Sequence, residues 1–235
     1  MITPTYARST QKSDLIRVSH SLALSQVRVN WILVEDTAKN FSSNFLKNFK
    51  SKTEQNYPNI EITLLRQDGS PVDEINTATR GVRQRNKALD HIVSLATVNE
   101  KAAVYFGDDD NTYNPQLFKK ISMLNEDKPI GVFPVGGAGR AMIEGPECSN
   151  HRVKKWHARY NQKRLYAGDM AGFAILASVF LKTGLRIEGR IRGTLEPEIV
   201  SKALISVLPD LNWDLLRKME YQSSDEELQG LFYKF

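Results

Sequence analysis

Val104-Tyr105-Phe106-Gly107-Asp108-Asp109-Asp110-Asn111-Thr112-Tyr113 sets three consecutive carboxylates directly after an apolar run. Three adjacent acids repel one another, and no basic residue adjoins them along the chain, so a divalent cation would relieve the cluster better than any side chain could. A hard, oxygen-preferring ion such as Mn2+ or Mg2+, bound by one or two of the acids and by a diphosphate, is the chemistry this triplet can do. A solvated acidic turn is the plainer alternative for three acids taken by themselves. Ala102 to Phe106 is rich in strand formers and stops at a glycine, which predicts a buried strand delivering the acids to its C-terminal edge. In an open α/β sheet that edge is where ligands bind.

Three further stretches bear on the same chemistry. Leu33-Val34-Glu35-Asp36 repeats the pattern of a strand ending in acids. The helix predicted from Thr79-Arg80-Gly81-Val82-Arg83-Gln84-Arg85-Asn86-Lys87-Ala88-Leu89 begins with several cations, which oppose the helix dipole and so suggest an anionic ligand there, a solvated basic face being the alternative. Glu196 precedes Pro197 at a predicted helix entry, a usual site for a capping acid. Gly136-Gly137-Ala138-Gly139 reads as a tight hairpin and not a phosphate loop, because no helical pattern follows it and it lacks the lysine.

The elements that must position these residues follow from periodicity. Lys12 to Leu24 carries Leu15, Ile16, Val18 and Leu22 at helical spacing, and Val27 to Val34 is a strand. Ser42 to Phe49 places Phe41, Phe45 and Phe49 on one core-facing stripe, and Ile60 to Leu65 is another strand. The helix after Thr79 turns Val82, Leu89, Ile92 and Ala96 inward, and Pro115 starts a helix through Leu124. Beyond it come short strands at Ile130 to Val135, Ala141 to Glu144 and Val153 to Tyr160, then an apolar stretch from Phe173 to Leu181. A last helix after Pro197 buries Ile199, Ala203, Leu204 and Val207. The change of pattern near Asp110 to Asn125 is the natural seam between two halves, residues 1–112 and 113–235.

At 235 residues the chain can bury one large core or two small ones that share a cleft. A formal charge of +5, with dispersed basic residues, points to anionic substrates and not to a nucleic-acid footprint. The single cysteine, Cys148, excludes an intrachain disulfide and a cysteine-based zinc site. No apolar run reaches the length of a membrane span, and Met1 is not followed by a signal pattern. Asn40-Phe41-Ser42 is a glycosylation sequon, informative only in a secretory protein.

Taken together, Pro4-Thr5-Tyr6-Ala7-Arg8, Leu33 to Asp36, Arg80 to Leu89, Val104 to Tyr113, Glu144-Gly145-Pro146, Asp169-Met170-Ala171-Gly172-Phe173 and Gly193-Thr194-Leu195-Glu196 occur in the order seen in the β-1,3-glucuronosyltransferases. The chain resembles that family from about Thr3 to Leu208. The resemblance implies a manganese-dependent inverting enzyme of the Golgi lumen with the α/β GT-A glycosyltransferase fold: a Rossmann-like nucleotide-binding half and a mixed-sheet acceptor-binding half. It implies transfer of glucuronic acid from UDP-glucuronic acid to the 3-hydroxyl of a terminal galactose, on a proteoglycan linker or a glycoprotein glycan. Family members are commonly homodimers, and they reach the membrane through an anchor that is absent from this chain.

Carried over by position, the resemblance puts Pro4, Thr5 and Tyr6 in the uridine pocket and makes Asp36 an acceptor for the uracil ring. Arg80 and Arg85 would meet the nucleotide sugar, Asp108 and Asp109 would hold the ribose region, and Asp110 the Mn2+. Glu144, Tyr160, Arg164 and Asp169 would bind the acceptor, and Glu196 would be the general base. Some features depart from the family. Only two residues precede Thr3, where the family's first strand should lie, so that strand is expected to be nearly absent. No His follows His157, so the family's His-Thr-Arg motif, which contacts the diphosphate sugar, is missing, and Pro209 to Phe235 reads as an unrelated ending. The alternative is therefore a truncated or divergent inactive member that binds UDP weakly or partners active relatives. A third reading keeps the activity with another donor sugar such as UDP-xylose.

Overall fold

A computed structural model describes residues 1–37, 44–68, 81–95, 101–137, 142–149, 152–157, 168–187 and 232–233. It divides into two compact units, one of Met1–Val98 with Phe106–Met123, the other of Asn99–Tyr105 with Leu124–Phe235.

The first unit is built on a parallel sheet in the order β1-β2-β3, from Ile2–Tyr6, Val29–Thr37 and Ile60–Asp68. Parallel neighbours need crossovers, and helices α1 (Gln11–Ser25) and α2 (Asn44–Asn56) supply them. Residues Trp31 to Glu35 of β2 are buried without alternation, as in a strand covered on both faces. Trp31 is fully buried, meets the Phe49 ring of α2 edge-on at 5.9 Å, and donates its indole N–H to Thr3 Oγ1 at 2.9 Å. Helix α3 (Val82–Ser94) packs against all three strands with Val82, Ala88 and Leu89 buried. Helix α4 (Pro115–Ile121) starts at an Asn114 cap that accepts the Gln116 N–H, with proline in the first turn, and lies against α1.

Several expectations are corrected here. The first strand is present: Ile2–Tyr6 is itself β1, in register with Ile32 to Asp36. A proline fits there because Ile2 accepts from Gly107 N–H on the side away from β2, and Pro4, two residues on, turns its missing N–H to that same side. Strand β2 runs past Val34 through Glu35 and Asp36, since β1 and β3 both continue to pair with it. On α2 the buried line is Leu46, Phe49 and Thr53; Phe45 is half-buried and Phe41 lies outside the described residues. Ile92 is half-buried, and Ala96 also lies outside the described residues.

The second unit holds a four-stranded mixed sheet, β10-β5-β9-β4, from Phe232–Tyr233, Ile130–Val132, Phe173–Leu176 and Ala103–Tyr105. Its core is Val104, Tyr105, Ile130, Val132, Phe173, Ile175, Leu176 and Phe180, the last from helix α5 (Ala177–Thr183). Residues near the chain end thus pair in parallel with β5. A separate antiparallel sheet joins β6 (Val135–Gly136), β7 (Ile143–Ser149) and β8 (Arg152–His157). Of the hairpin expected at Gly136-Gly137-Ala138-Gly139, β6 and β7 pair as the two arms and Gly137, at φ 69°, donates its N–H to Met142 O at 2.9 Å, while Ala138 and Gly139 lie outside the described residues. Among the described residues no helix is long and apolar enough to cross a membrane.

Candidate active site at the strand ends of the first unit

Because β1 and β2 are parallel, Thr5, Tyr6 and Asp36 come out at one edge of the sheet. Phe106 forms a parallel bridge with Ile2, so the chain that follows it runs alongside Thr3, Pro4 and Thr5 and carries the acidic triplet to the same edge. This is the position at which an open parallel sheet binds ligands.

The three carboxylates part company at once. Asp109 is buried and takes both forks of Arg8, Nη1 to Oδ2 and Nη2 to Oδ1, each at 2.8 Å, while the Thr5 hydroxyl donates to Oδ2 at 2.6 Å. Gln11 Nε2 donates in turn to Thr5 Oγ1 at 3.1 Å. Paired guanidinium and carboxylate forks are the strong geometry for such a bond, and the hydrogen bond to Asp109 raises Arg8 further above its ordinary basicity. Asp108, less buried, receives Arg85 Nη2 at 2.6 Å, and its carbonyl accepts the Tyr113 hydroxyl at 2.8 Å. Asp110 is exposed, and among the described residues its carboxylate makes no ion pair. Desolvation, and then the charges of Asp108 and Asp109, push its carboxyl above the usual carboxylate range.

The basic neighbours that the triplet lacks along the chain are supplied in space. Arg8 and Arg85 are far from it in sequence and adjacent in space, so two of three charges are already met. What remains is one exposed carboxylate at the sheet edge. Among the described residues no three His, Cys, Asp or Glu groups converge to cage a metal. The donor set fits an Mg2+- or Mn2+-like ion that takes one protein carboxylate and fills its other positions with phosphate oxygens and water.

Arg85 lies in the first turn of α3 and is almost wholly buried, so the cations there are not all a solvated face. Gly81 makes room for it: φ is 74°, and a Cβ at that position would stand 2.5 Å from Arg85 Nη1. Gln84, next to Arg85, donates to Asp36 Oδ2 at 3.0 Å. The Tyr6 ring is 56% exposed, with the Arg8 guanidinium 4.8 Å from its centroid, and so offers an aromatic face beside Asp36. Pro4 shares that strand end.

In the second unit, Glu144 is buried on β7 opposite Val135. Asp169 caps the 3-10 turn Met170–Gly172 by accepting Ala171 N–H at 2.9 Å. Arg80, Tyr160, Arg164 and Glu196 lie outside the described residues. Nothing in the sequence alone gives a part to Gln11, Asp14, Arg17, Gln84 or Tyr113, and Arg8 stands there only inside a motif. The i,i+3 spacing of Asp14 and Arg17 on one helix was the one available signal for two of them.

At the strand ends of this parallel sheet an arginine-braced acidic triplet and an exposed tyrosine stand together, at the edge where such sheets bind ligands. Residues 18–218 match glycosyltransferase family 43, and the chain belongs to that family. Mouse galactosylgalactosylxylosylprotein 3-beta-glucuronosyltransferase 3 is 33% identical over 217 residues, covering 86% of this chain and 62% of the mouse protein. The human protein of that name is 32% identical over 214 residues with the same coverage. Drosophila melanogaster galactosylgalactosylxylosylprotein 3-beta-glucuronosyltransferase I is 33% identical over 188 residues, 77% of this chain and 60% of its own length. The chain therefore spans about six tenths of these curated relatives.

Proposed function

We propose that this chain is an inverting glycosyltransferase that moves glucuronic acid from UDP-glucuronic acid to the 3-hydroxyl of a galactose ending a proteoglycan-linker or glycoprotein glycan. The observation that carries the proposal is Asp110, left without an ionic partner among the described residues, beside two arginine-met neighbours at the edge where parallel strands end. A Mn2+ ion bound there would act as a Lewis acid on the departing diphosphate. The reading assigns the chain a GT-A fold, with residues 1–112 as the UDP-sugar half and 113–235 as the acceptor and catalytic half.

Each side chain has a part in this scheme. Tyr6 stacks on the base and Pro4 and Thr5 line its pocket, while Asp36, oriented by Gln84, accepts a base N–H. Arg80 and Arg85 carry positive charge toward the nucleotide sugar. Asp108 and Asp109 hold the ribose side and shape the loop, and Asp110 faces the cation. Glu144, Tyr160, Arg164 and Asp169 orient the accepting galactose. Glu196 removes the proton from its 3-hydroxyl as the oxygen attacks, on the face opposite the leaving UDP, which is what inversion requires. One carboxylate suffices because the leaving group needs no protonation by a second acid. The same reading places the protein in the Golgi lumen, as a homodimer.

Calorimetric titration of UDP with and without Mn2+ is the first check, and heat that depends on the metal is expected. A donor screen with Mn2+, galactosyl acceptors and both UDP-glucuronic acid and UDP-xylose, run beside Glu196→Gln, tests the chemistry. Loss of turnover by about a hundred-fold or more in Glu196→Gln, with UDP binding kept, is the expected result. UDP binding with no turnover on any donor would favour the inactive alternative.

A further inference from the structure

Helix α1 opens with two residues that the scheme above leaves unused. Asp14 and Arg17 stand one turn apart, and Asp14 takes Arg8 Nη2 on Oδ2 at 2.8 Å and Arg17 Nη2 on Oδ1 at 3.0 Å. From there the two arginines diverge. Arg8 grips the side chain of Asp109. Arg17 reaches the main chain beyond it, with Nη2 donating to Asp110 O at 3.0 Å and Nε reaching Asn111 O at 3.4 Å. The segment Asp109-Asp110-Asn111 is thus hung from one carboxylate on α1 at two places, and Asp110 lies between them. Since the orientation of its flanking peptides sets the direction of its side chain, whatever holds those carbonyls aims the carboxylate.

We propose that Arg17, seated by Asp14, is the positioning residue for the cation bound at Asp110. This rests on reading Asp110 as the cation-bearing carboxylate. The guanidinium is suited to the task because it meets three acceptors with fixed directions, whereas a lysine ammonium on a flexible stem fixes none of them. Arg17 is 38% exposed in its side chain, and a surface ion pair of that kind contributes little to stability. Its value therefore lies in geometry. Residues one shell beyond a metal ligand commonly alter metal affinity by about 10- to 100-fold when changed.

The sign of the effect separates this role from simple electrostatics. Removing a cation near a metal site should tighten Mn2+ binding by Coulomb's law, whereas removing a brace should weaken it. Free Mn2+ is read by electron paramagnetic resonance as the ion is titrated into protein saturated with UDP. Arg17→Gln is expected to weaken Mn2+ by about ten-fold, and Arg17→Lys, which keeps the charge, to weaken it in the same direction. Arg28→Gln, which removes an equal charge from an exposed pair with Glu61, is expected to leave the affinity unchanged. Uridine without phosphates should bind the Arg17 variants as it binds the wild type, which also confirms their folding. Mn2+ affinity in Arg17→Lys equal to the wild type, or tighter binding in Arg17→Gln, overturns the positioning role while leaving the metal reading intact. A wild type that takes up no Mn2+ with UDP overturns both.

Discussion

Asp108, Asp109 and Asp110 are chemically identical and consecutive, and their carboxylates fare differently: the first meets Arg85, the second Arg8 with Thr5, and the third has no ion pair among the described residues. Burial follows the same division, with Asp109 inside and Asp110 outside. Arg85 can make its contact only because Gly81 leaves space and accepts a positive φ. Gly81→Ala should therefore cost stability by more than about 1 kcal/mol, since alanine is strained at that backbone angle. It should also displace the Arg85 guanidinium from Asp108 and weaken UDP. Urea denaturation and UDP titration of this one variant check both, and unchanged UDP affinity would separate the Arg85 pair from nucleotide binding. The triplet's exposed member was legible in the sequence as a metal candidate, but the division among the three was not, because Arg8 lies about a hundred residues away in the chain.

At the scale of elements, α2 is tied to the sheet by a carboxylate as well as by apolar packing, and α1 holds the loop after β1 through Asp14. Glu54 of α2 accepts the Ile62 N–H at 2.7 Å and pairs with Lys50, whose ammonium also reaches Ile62 O, so the pair occupies both polar groups of one residue on edge strand β3. An edge so covered is a poor template for another chain. Burial opposes ionisation of Glu54, but Lys50 and the Ile62 N–H outweigh it and lower its carboxyl. The Thr10 hydroxyl, and with it Arg8 and Arg17, lowers Asp14 against its burial. Both groups thus hold fewer protons folded than unfolded. Their stabilisation is complete above ordinary carboxylate values of roughly 4 and is lost as pH falls through the lower folded ones. Urea midpoints measured from pH 6 to pH 2.5 should decline on the acid side, and Asp14→Asn with Glu54→Gln should flatten that decline. An unaltered acid slope in the double variant would place the loss elsewhere.

For the whole molecule, a ligand that binds only the folded chain must raise its melting temperature. At a hundred times its dissociation constant UDP adds about 2.7 kcal/mol, or roughly 5 to 10 °C for a chain of this size. With Mn2+ present the rise at equal UDP should be larger, and scanning calorimetry with and without the ion decides it. Strands β2 and β3, helices α1 and α3 and the glycine turn after β6 could be read from periodicity and turn residues, since local spacing and glycine chemistry dictate them. So could membership of the glycosyltransferase family, because its motifs are contiguous. The sequence by itself determined which acids stand at strand ends. Only the tertiary structure decided that Ile2–Tyr6 is a full strand, that Arg8 and Arg85 spend themselves on Asp109 and Asp108, and that α1 holds the loop through Asp14 and Arg17. Those outcomes depend on contacts between residues distant along the chain, and a pattern of spacings carries no record of which charges will meet.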